Sequence, residues 1–244
     1  MQLKKNTKTF ADIHCHALFG VDDGAKSVEL MQEMIDKEYE EGVRYLCFTP
    51  HYHPGYYGHN EERSESAFSI AVEYCKEKYP NMQLSLANEL HFGPEAISWI
   101  KEKACRTVAG TRFILVDFSM PEDEAVIVKS LSRLISTGHV PILAHAERYT
   151  ALSIGAMKEL RQNGVLIQSN TGSLFCSFGC RVKNKLKRML ALRIVDFLST
   201  DAHNLGDRAP SFMKCYLYVA KKYGTEYADY ICRDNAVERF FNLE

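Results

Sequence analysis

Asp12-Ile13-His14-Cys15-His16-Ala17-Leu18-Phe19-Gly20-Val21-Asp22-Asp23-Gly24-Ala25 gathers two imidazoles and, at its far end, two carboxylates within about a dozen residues. Its first part reads as a strand. Successive strand side chains point to opposite faces, so His14 and His16 emerge on the same side and can grip one cation together. Asp22-Asp23-Gly24 follows as a turn, and from Ser27 a helical pattern carries apolar Leu30, Met31, Met34 and Ile35. A metal site at the mouth of a strand-to-helix loop is the implied picture. A His-x-His pair can also simply decorate an exposed strand, so the rest of the chain must decide.

The same arrangement recurs downstream. Strands are expected at 9–15, 43–49, 83–88, 113–118, 140–144, 165–168 and 194–199. Helical spacing falls between them at 27–42, 61–79, 94–103, 123–137, 154–163 and 180–192, and the remainder reads as helical. Seven strand-like runs alternating with helices argue for a parallel sheet with crossover helices. Histidines follow the second strand in Pro50-His51-Tyr52-His53, and Glu89 and His91 end the third. Asp117 stands alone in the apolar run Phe113–Phe118, where an unpaired ionised carboxylate would cost several kcal/mol and therefore calls for a cation or strong donor. The fifth strand delivers His145, Glu147 and Arg148, the sixth Asn170 and Thr171, and the seventh Asp201 and His203. An open sheet gathers ligands at one crevice, whereas a barrel brings every strand end to one rim. Polar residues at so many strand ends therefore favour a (β/α) barrel.

The 244 residues are 46% hydrophobic and 25% charged, which suits a single domain spanning 1–244 with a substantial core. A net charge of −1 offers no basic field for nonspecific nucleic-acid binding. No apolar run approaches the roughly 20 residues of a membrane span, and Met1-Gln2-Leu3-Lys4-Lys5-Asn6 lacks the apolar stretch of a secretion signal. A cytoplasmic protein is expected. The eight cysteines contain no Cys-x-x-Cys pair and are expected to be reduced and mostly buried. Cys176 and Cys180 form one close pair, but a zinc ribbon needs a second.

The candidate inventory is His14, His16, Asp23, His51, Glu89, Asp117, His145, Asp201 and His203, with Asp22 an alternative to Asp23. Mixed imidazole and carboxylate donors suit manganese, iron or zinc, and nine candidates exceed what one ion needs, so two or three ions are implied. Such ions generate hydroxide from water at neutral pH and neutralise phosphate oxygens, which makes phosphoester hydrolysis the natural reaction. Arg148 and Arg208 lie near these motifs, and a guanidinium can hold two phosphate oxygens at once. Gly-Ala-Lys-Ser at 24–27 lacks the glycine before lysine that a phosphate-binding loop requires. No cysteine is followed by arginine six positions on, and no Gly-x-Ser-x-Gly elbow occurs, so the nucleophile is expected to be metal-activated water.

The segments DIHCHALFGVDDGAKS, TPHYHPGYYG, ANELHF, ILVDFS, PILAHAERY, SNTGSL and STDAHNLGDRAP span residues 12–210. By their order and spacing the chain resembles the polymerase-and-histidinol-phosphatase superfamily. Within it the chain is similar to the bacterial manganese-dependent protein tyrosine phosphatases of capsule and exopolysaccharide operons. The resemblance implies a distorted (β/α)7 barrel with a trinuclear site. Carried over by motif, His14, His16, Glu89 and Asp201 would hold one ion, and Glu89 would bridge to a second held by Asp117 and His145. Asp23, His51 and His203 would hold the third, with Arg148 and Arg208 on the phosphate. Asp117 stands where this branch usually has Glu, Ala146 where Pro is common, and Thr171 where a small residue is usual. The implied substrate is a phosphotyrosine protein, a bacterial tyrosine kinase that controls polysaccharide export. The alternatives are a small-molecule phosphatase of the histidinol-phosphatase type and a noncatalytic metal-binding regulator.

Other residues near these motifs have plainer readings. His53, His59 and His91 read as solvated loop histidines and His139 as structural. Arg181, Lys183, Lys185, Lys187 and Arg188 read as the solvated face of a helix. Tyr52, Tyr56, Tyr57 and Arg63 could wall a pocket for an aromatic ring or simply pack their loop.

Overall fold

Every strand ladder in the computed structural model, which describes residues 8–242, is parallel. The reading of Met1–Asn6 lies outside these residues. The strands are β1 (Phe10–Cys15), β2 (Val43–Phe48), β3 (His51–Tyr52), β4 (Gln83–Leu86), β5 (Glu89–His91), β6 (Phe113–Asp117), β7 (Val140–Leu143), β8 (Leu166–Asn170) and β9 (Phe197–Ser199). They pair as β1-β2-β4 and β3-β5-β6-β7-β8-β9. Two of the seven expected strands, 43–49 and 83–88, end early at Phe48 and Leu86, and after breaks at Thr49-Pro50 and Ala87-Asn88 each is followed by a short strand, β3 or β5, beyond the expected bounds. Pro50 has no N–H to donate, and its carbonyl is met instead by the Glu89 N–H and the Asn88 side-chain amide, each at 3.1 Å. The pair β2-β4 therefore continues as β3-β5 beyond a break at one level.

The last strand closes onto the first. The Asp201 N–H donates to the His14 carbonyl at 2.8 Å and the His16 N–H to the Ala202 carbonyl at 2.9 Å. Beneath this seam the buried Asp12 carboxylate accepts from the N–H groups of His14 (3.0 Å) and Thr200 (3.2 Å) and from the Thr200 hydroxyl. Seven strand positions around a closed parallel ring make a distorted (β/α)7 barrel.

Helices cover the outside: α1 (Val28–Glu41), α2 (Pro54–Tyr57), α3 (Glu61–Lys78), α4 (Ala96–Lys101), α5 (Glu124–Ser136), α6 (Ile154–Gln162), α7 (Gly179–Ala191) and α8 (Phe212–Tyr223). Ser27 caps α1 by accepting from the Leu30 N–H at 3.2 Å, and Gly42 ends it at φ 103°, a left-handed turn that favours glycine. Met31, Met34 and Ile35 of α1 and Leu186, Met189 and Leu190 of α7 face the strands. Arg181 and Arg188 of α7 are exposed, as expected, but Lys185 is not a solvated charge. Its ammonium donates to the carbonyls of Tyr149 (2.5 Å) and Leu152 (2.7 Å), and burial lowers its pKa to about 8. Among the described residues no helix is long and apolar enough to cross a membrane.

Inside the ring, the row that is apolar at the closed end turns polar at the rim. Ala87 leads to Glu89, Phe113 and Leu115 to Asp117, and Leu166 to Gln168 and Asn170. On β1 the inner row begins at Ala11 and Ile13, and a register shift between Asp12 and Cys15 changes its parity so that His14 and His16 reach the rim. Phe240 plugs the closed end against Phe113 and Phe197, with ring centroids 5.1 and 5.6 Å away. A barrel stopped with phenylalanine at one end can open only at the other, where the polar rows finish.

Candidate metal centre

Glu89, 0% exposed, sits in the middle of that rim. Its Oε2 lies 3.2 Å from His14 Nε2, 3.2 Å from His16 Nε2 and 3.0 Å from His51 Nδ1, and its Oε1 lies 2.9 Å from His145 Nε2. Asp201 Oδ1 is 3.5 Å from the same His14 and His16 nitrogens and 3.5 Å from His203 Nδ1. Asp23 Oδ1 completes the outer side, 3.5 Å from His51 Nε2 and 3.4 Å from His203 Nε2. Eight of the nine candidates from the sequence thus meet at one rim, and the ninth, Asp117, joins them beside His51 and Glu89.

The donors fall into three overlapping groups, each compact enough to hold an ion: His16, Asp23, His51 and His203; His14, His16 and Glu89; and His51, Glu89 and Asp117. Their geometry fits cations better than mutual hydrogen bonding. Glu89 Oε2, His145 Nδ1 and His203 Nε2 are buried yet make no hydrogen bond. Buried polar atoms without partners are costly unless something else satisfies them. The Nε2 atoms of His14 and His16 face each other at 3.1 Å. Two nitrogens each about 2.1 Å from one ion are separated by about 3.0 Å in octahedral and about 3.4 Å in tetrahedral geometry, which brackets this spacing.

Two backbone features build this rim. His145 and Asp201 adopt φ 34° and 52°, in the left-handed region uncommon for residues with a Cβ, and each turns its side chain back over the barrel mouth. After His16 the chain folds back on β1, and a Cβ at Gly24 would stand 1.8 Å from the His16 carbonyl oxygen. Only glycine fits there. The fold-back separates the two aspartates left open by the sequence. Asp23 faces the cluster, whereas Asp22 lies behind it, accepting from His16 Nδ1 at 2.7 Å, from the His51 N–H at 2.9 Å and from the Gly24 N–H at 2.9 Å.

Asp22 thereby fixes the tautomer that leaves His16 Nε2 free toward the cluster. Exchanging it for asparagine should lower metal affinity by about 10–100-fold while leaving the circular dichroism spectrum unchanged. Titration calorimetry with manganese checks this, and unaltered affinity would remove Asp22 from the site.

The electrostatics follow from so many ionisable groups in one buried place. Burial disfavours the charged form of each, and opposite charges outweigh it at most positions. Glu89 is held well below the usual carboxylate range by His14 and His51, Asp201 by His14 and Arg208, and Asp23 by His203 and His16. His51 is raised to about 9 by Glu89 against its burial. His203 goes the other way, to about 4, because burial and the neighbouring His16 both oppose its proton. The carboxylates thus remain ionised, and His14, His16 and His51 keep protons against their burial because Glu89, Asp201 and Asp22 face them, so an ion entering the cluster would displace protons from these rings.

Further residues support the cluster. Gln168 Oε1 accepts from the His145 N–H at 2.7 Å and lies 3.2 Å from His14 Nδ1, and its amide donates to Asn170 Oδ1 at 3.0 Å. The Asn170 amide in turn donates to Asp201 Oδ2 at 2.6 Å. Asp117 is not the solitary carboxylate its sequence suggested, because His91 Nδ1 lies 3.1 Å from its Oδ1. His91, expected as a solvated loop residue, is thus a half-buried partner of the rim, and His53 stacks on it at 4.3 Å. His59 is exposed and His139 bonds Thr137 at 2.9 Å, both as expected. The tyrosine-rich loop divides. Buried Tyr52 donates to Glu61 at 2.8 Å and packs the loop, Tyr57 stacks on His51 at 5.4 Å, and Tyr56 is 76% exposed.

At the mouth, Arg208 Nη2 reaches Asp201 Oδ1 at 2.9 Å, and Arg148 Nη1 lies 3.4 Å from Asp201 Oδ2. Two guanidiniums over a buried imidazole and carboxylate cluster, at the open end of a parallel α/β barrel, define the class of barrel metallohydrolases. The chain belongs to the capsular polysaccharide synthesis family CpsB/CapC, whose model matches residues 10–240. It is 32% identical over 231 residues to the tyrosine-protein phosphatase CpsB of Streptococcus pneumoniae, covering 92% of this chain and 95% of the relative. It is 27% identical over 229 residues to the tyrosine-protein phosphatase YwqE of Bacillus subtilis, covering 92% and 89%. A crystal structure from work on YwqE and CpsB, described there as metal-dependent tyrosine phosphatases, superposes with a TM-score of 0.80 at 26% identity over 89% of each chain. The phosphotriesterase homology protein of Escherichia coli, at 13% identity and a TM-score of 0.63, shares the fold.

Proposed function

We propose that this chain acts as one metal-dependent protein tyrosine phosphatase domain over residues 1–244, hydrolysing a phosphotyrosine ester to tyrosine and inorganic phosphate. The observation that carries this reading is the convergence of Glu89 with four imidazoles beneath two guanidiniums. The names of its CpsB and YwqE relatives support it. His14, His16, Glu89 and Asp201 would hold one ion, Asp117 and His145 with Glu89 a second, and Asp23, His51 and His203 a third. When bound, the ions supply an activated water at neutral pH and neutralise charge on the phosphate. Manganese is the first choice, with iron or zinc as alternatives for the same donor set.

The chain's own contribution is binding and orientation. Arg208 and Arg148 bind the phosphate oxygens, with Arg208 taking a fork of two. Asn170 holds Asp201 in place, and Gln168 does the same for His145. Tyrosine, with a pKa of about 10, leaves as a phenolate without a strong proton donor, which suits a rim whose substrate-facing groups are guanidiniums. The protein partner in this reading is a bacterial tyrosine kinase of polysaccharide export, met in the cytoplasm.

Phosphate release by chelator-stripped protein tests the reading, with manganese, iron or zinc added back and a phosphotyrosine peptide or histidinol phosphate as substrate. Manganese-restored release from the peptide is expected. Cleavage of histidinol phosphate alone would reassign the substrate, and peptide binding without phosphate release would make the chain a regulator.

A further inference from the structure

A cavity of about 200 Å³ opens beside the metal centre, between the turn that follows β8 and the loop from β9 to α8. Asp201 and Arg208 form the wall it shares with the cluster, and Phe175, Phe178, Ala209 and Pro210 form apolar walls. We propose that this cavity receives the aryl ring of the phosphorylated side chain, so that Phe175 and Phe178 set a preference for aryl over alkyl phosphates. The proposal rests on the phosphatase reading and gives that site its ring subsite.

Size and position agree. The apolar side made by Phe175, Phe178, Ala209 and Pro210 is completed by a polar side of Thr200, Asp207, Ser211 and Lys214 that can meet a phenol oxygen or the peptide around the ring. An apolar cavity of about 150 Å³ admits benzene, so about 200 Å³ accommodates a phenol ring. Arg208 belongs both to the cavity wall and to the ion pair with Asp201, so a phosphate on its guanidinium puts the ester oxygen at the cavity mouth. The phenylalanines are positioned by cations. The Arg148 guanidinium lies 4.4 Å from the Phe178 ring centre and the Lys214 ammonium 4.1 Å from that of Phe175. Both rings are half-buried, and Ser177 between them is exposed at the edge. A larger cavity of about 430 Å³ against α7, lined by Thr150, Leu152, Arg181 and Arg188, shares none of the nine rim donors and is a poorer host for a group attached to the phosphate. The loop tyrosines are also less suited, since Tyr52 is committed to Glu61 and Tyr57 already covers His51.

The test compares phenylphosphonate with methylphosphonate by calorimetry on the manganese-loaded full chain, alongside turnover of phenyl phosphate and glycerol phosphate. Wild type should bind the phenyl probe roughly tenfold more tightly than the methyl probe. Phe175→Ala removes a wall, and Ser177→Trp, at an exposed position that tolerates a larger side chain, blocks the cavity. Both should abolish that tenfold difference and raise KM for phenyl phosphate, leaving methylphosphonate binding and glycerol phosphate turnover as in wild type. Retention of the difference in both variants, or equal loss of both probes, overturns the subsite. Selective phenylphosphonate binding without any phosphate release would leave the subsite standing and defeat the phosphatase reading. Turnover of phenyl phosphate with variants that match wild type would do the reverse.

Discussion

Glu89→Gln should leave a folded barrel that has lost its activity. The glutamate carboxylate is within 3.2 Å of four imidazole nitrogens from three different segments of the rim. Glutamine keeps the shape but replaces one anionic oxygen with an amide that donates, toward nitrogens that must themselves be free to bind metal. Loss of a residue that merely orients a ligand costs about 10–100-fold, so loss of the shared ligand should cost more, roughly a thousandfold or greater in phosphate release. The loss should trace to metal content, with fewer ions retained after dialysis and little change in far-ultraviolet circular dichroism. A variant with wild-type activity would mean that the cluster is not where the reaction occurs.

Arg208→Ala is expected to leave the metals in place and remove catalysis. Its guanidinium lies 2.9 Å from Asp201 and 3.8 Å from Asp23, between the inner and outer parts of the cluster, where charge on a phosphate would develop. Removing one well-placed donor to a transition-state oxyanion typically costs about 10²–10³ in kcat, and that is the loss expected here. Asp201 keeps its Asn170 amide and its imidazole neighbours, so the ions should remain. Lysine at 208 should recover little, because a single ammonium cannot present two parallel N–H groups to two oxygens. Arg148 sits farther from Asp201 at 3.4 Å and is seated on Phe178, so Arg148→Ala should raise KM more than it lowers kcat. Steady-state kinetics with a phosphotyrosine peptide separate the two. An Arg208→Ala enzyme with unchanged kcat would contradict its assigned role.

Much of this was legible in the amino-acid order. Strand ends are predictable because apolar runs of strand length stop at glycine, proline or charge, and the residues just beyond them become the rim of a parallel barrel. Hence His14, His16, Glu89, Asp117, His145, Asp201 and His203 could be named before their contacts were known, and they do meet. The breaks at Thr49-Pro50 and Ala87-Asn88 were harder to read, because each joins two strand pieces whose combined length resembles a single strand.

Local pattern was least informative where tertiary contact decides. Asp22 and Asp23 are adjacent and chemically alike, and only the fold-back permitted by Gly24 puts one behind His16 and the other in the cluster. The pairing of His91 with Asp117 joins residues 26 apart on neighbouring strands, for which His91 alone gave no signal. Lys185 looked like one more charge on a basic helix face until its carbonyl partners on the loop between β7 and α6 were known. The parity of the inner rows was an available clue to Gln168 and Asn170, since both continue the row that begins at Leu166.

The central claim is that the cluster around Glu89 holds the ions that make this chain a phosphatase. Crystals of the wild-type protein and of Glu89→Gln, both soaked in manganese and measured at its absorption edge, test it most directly. Two or three anomalous peaks in the wild type are predicted, one bounded by His14, His16, Glu89 and Asp201, with peaks weakened or lost in the variant. An empty cluster in the wild type, or peaks unchanged by the substitution, would contradict the account.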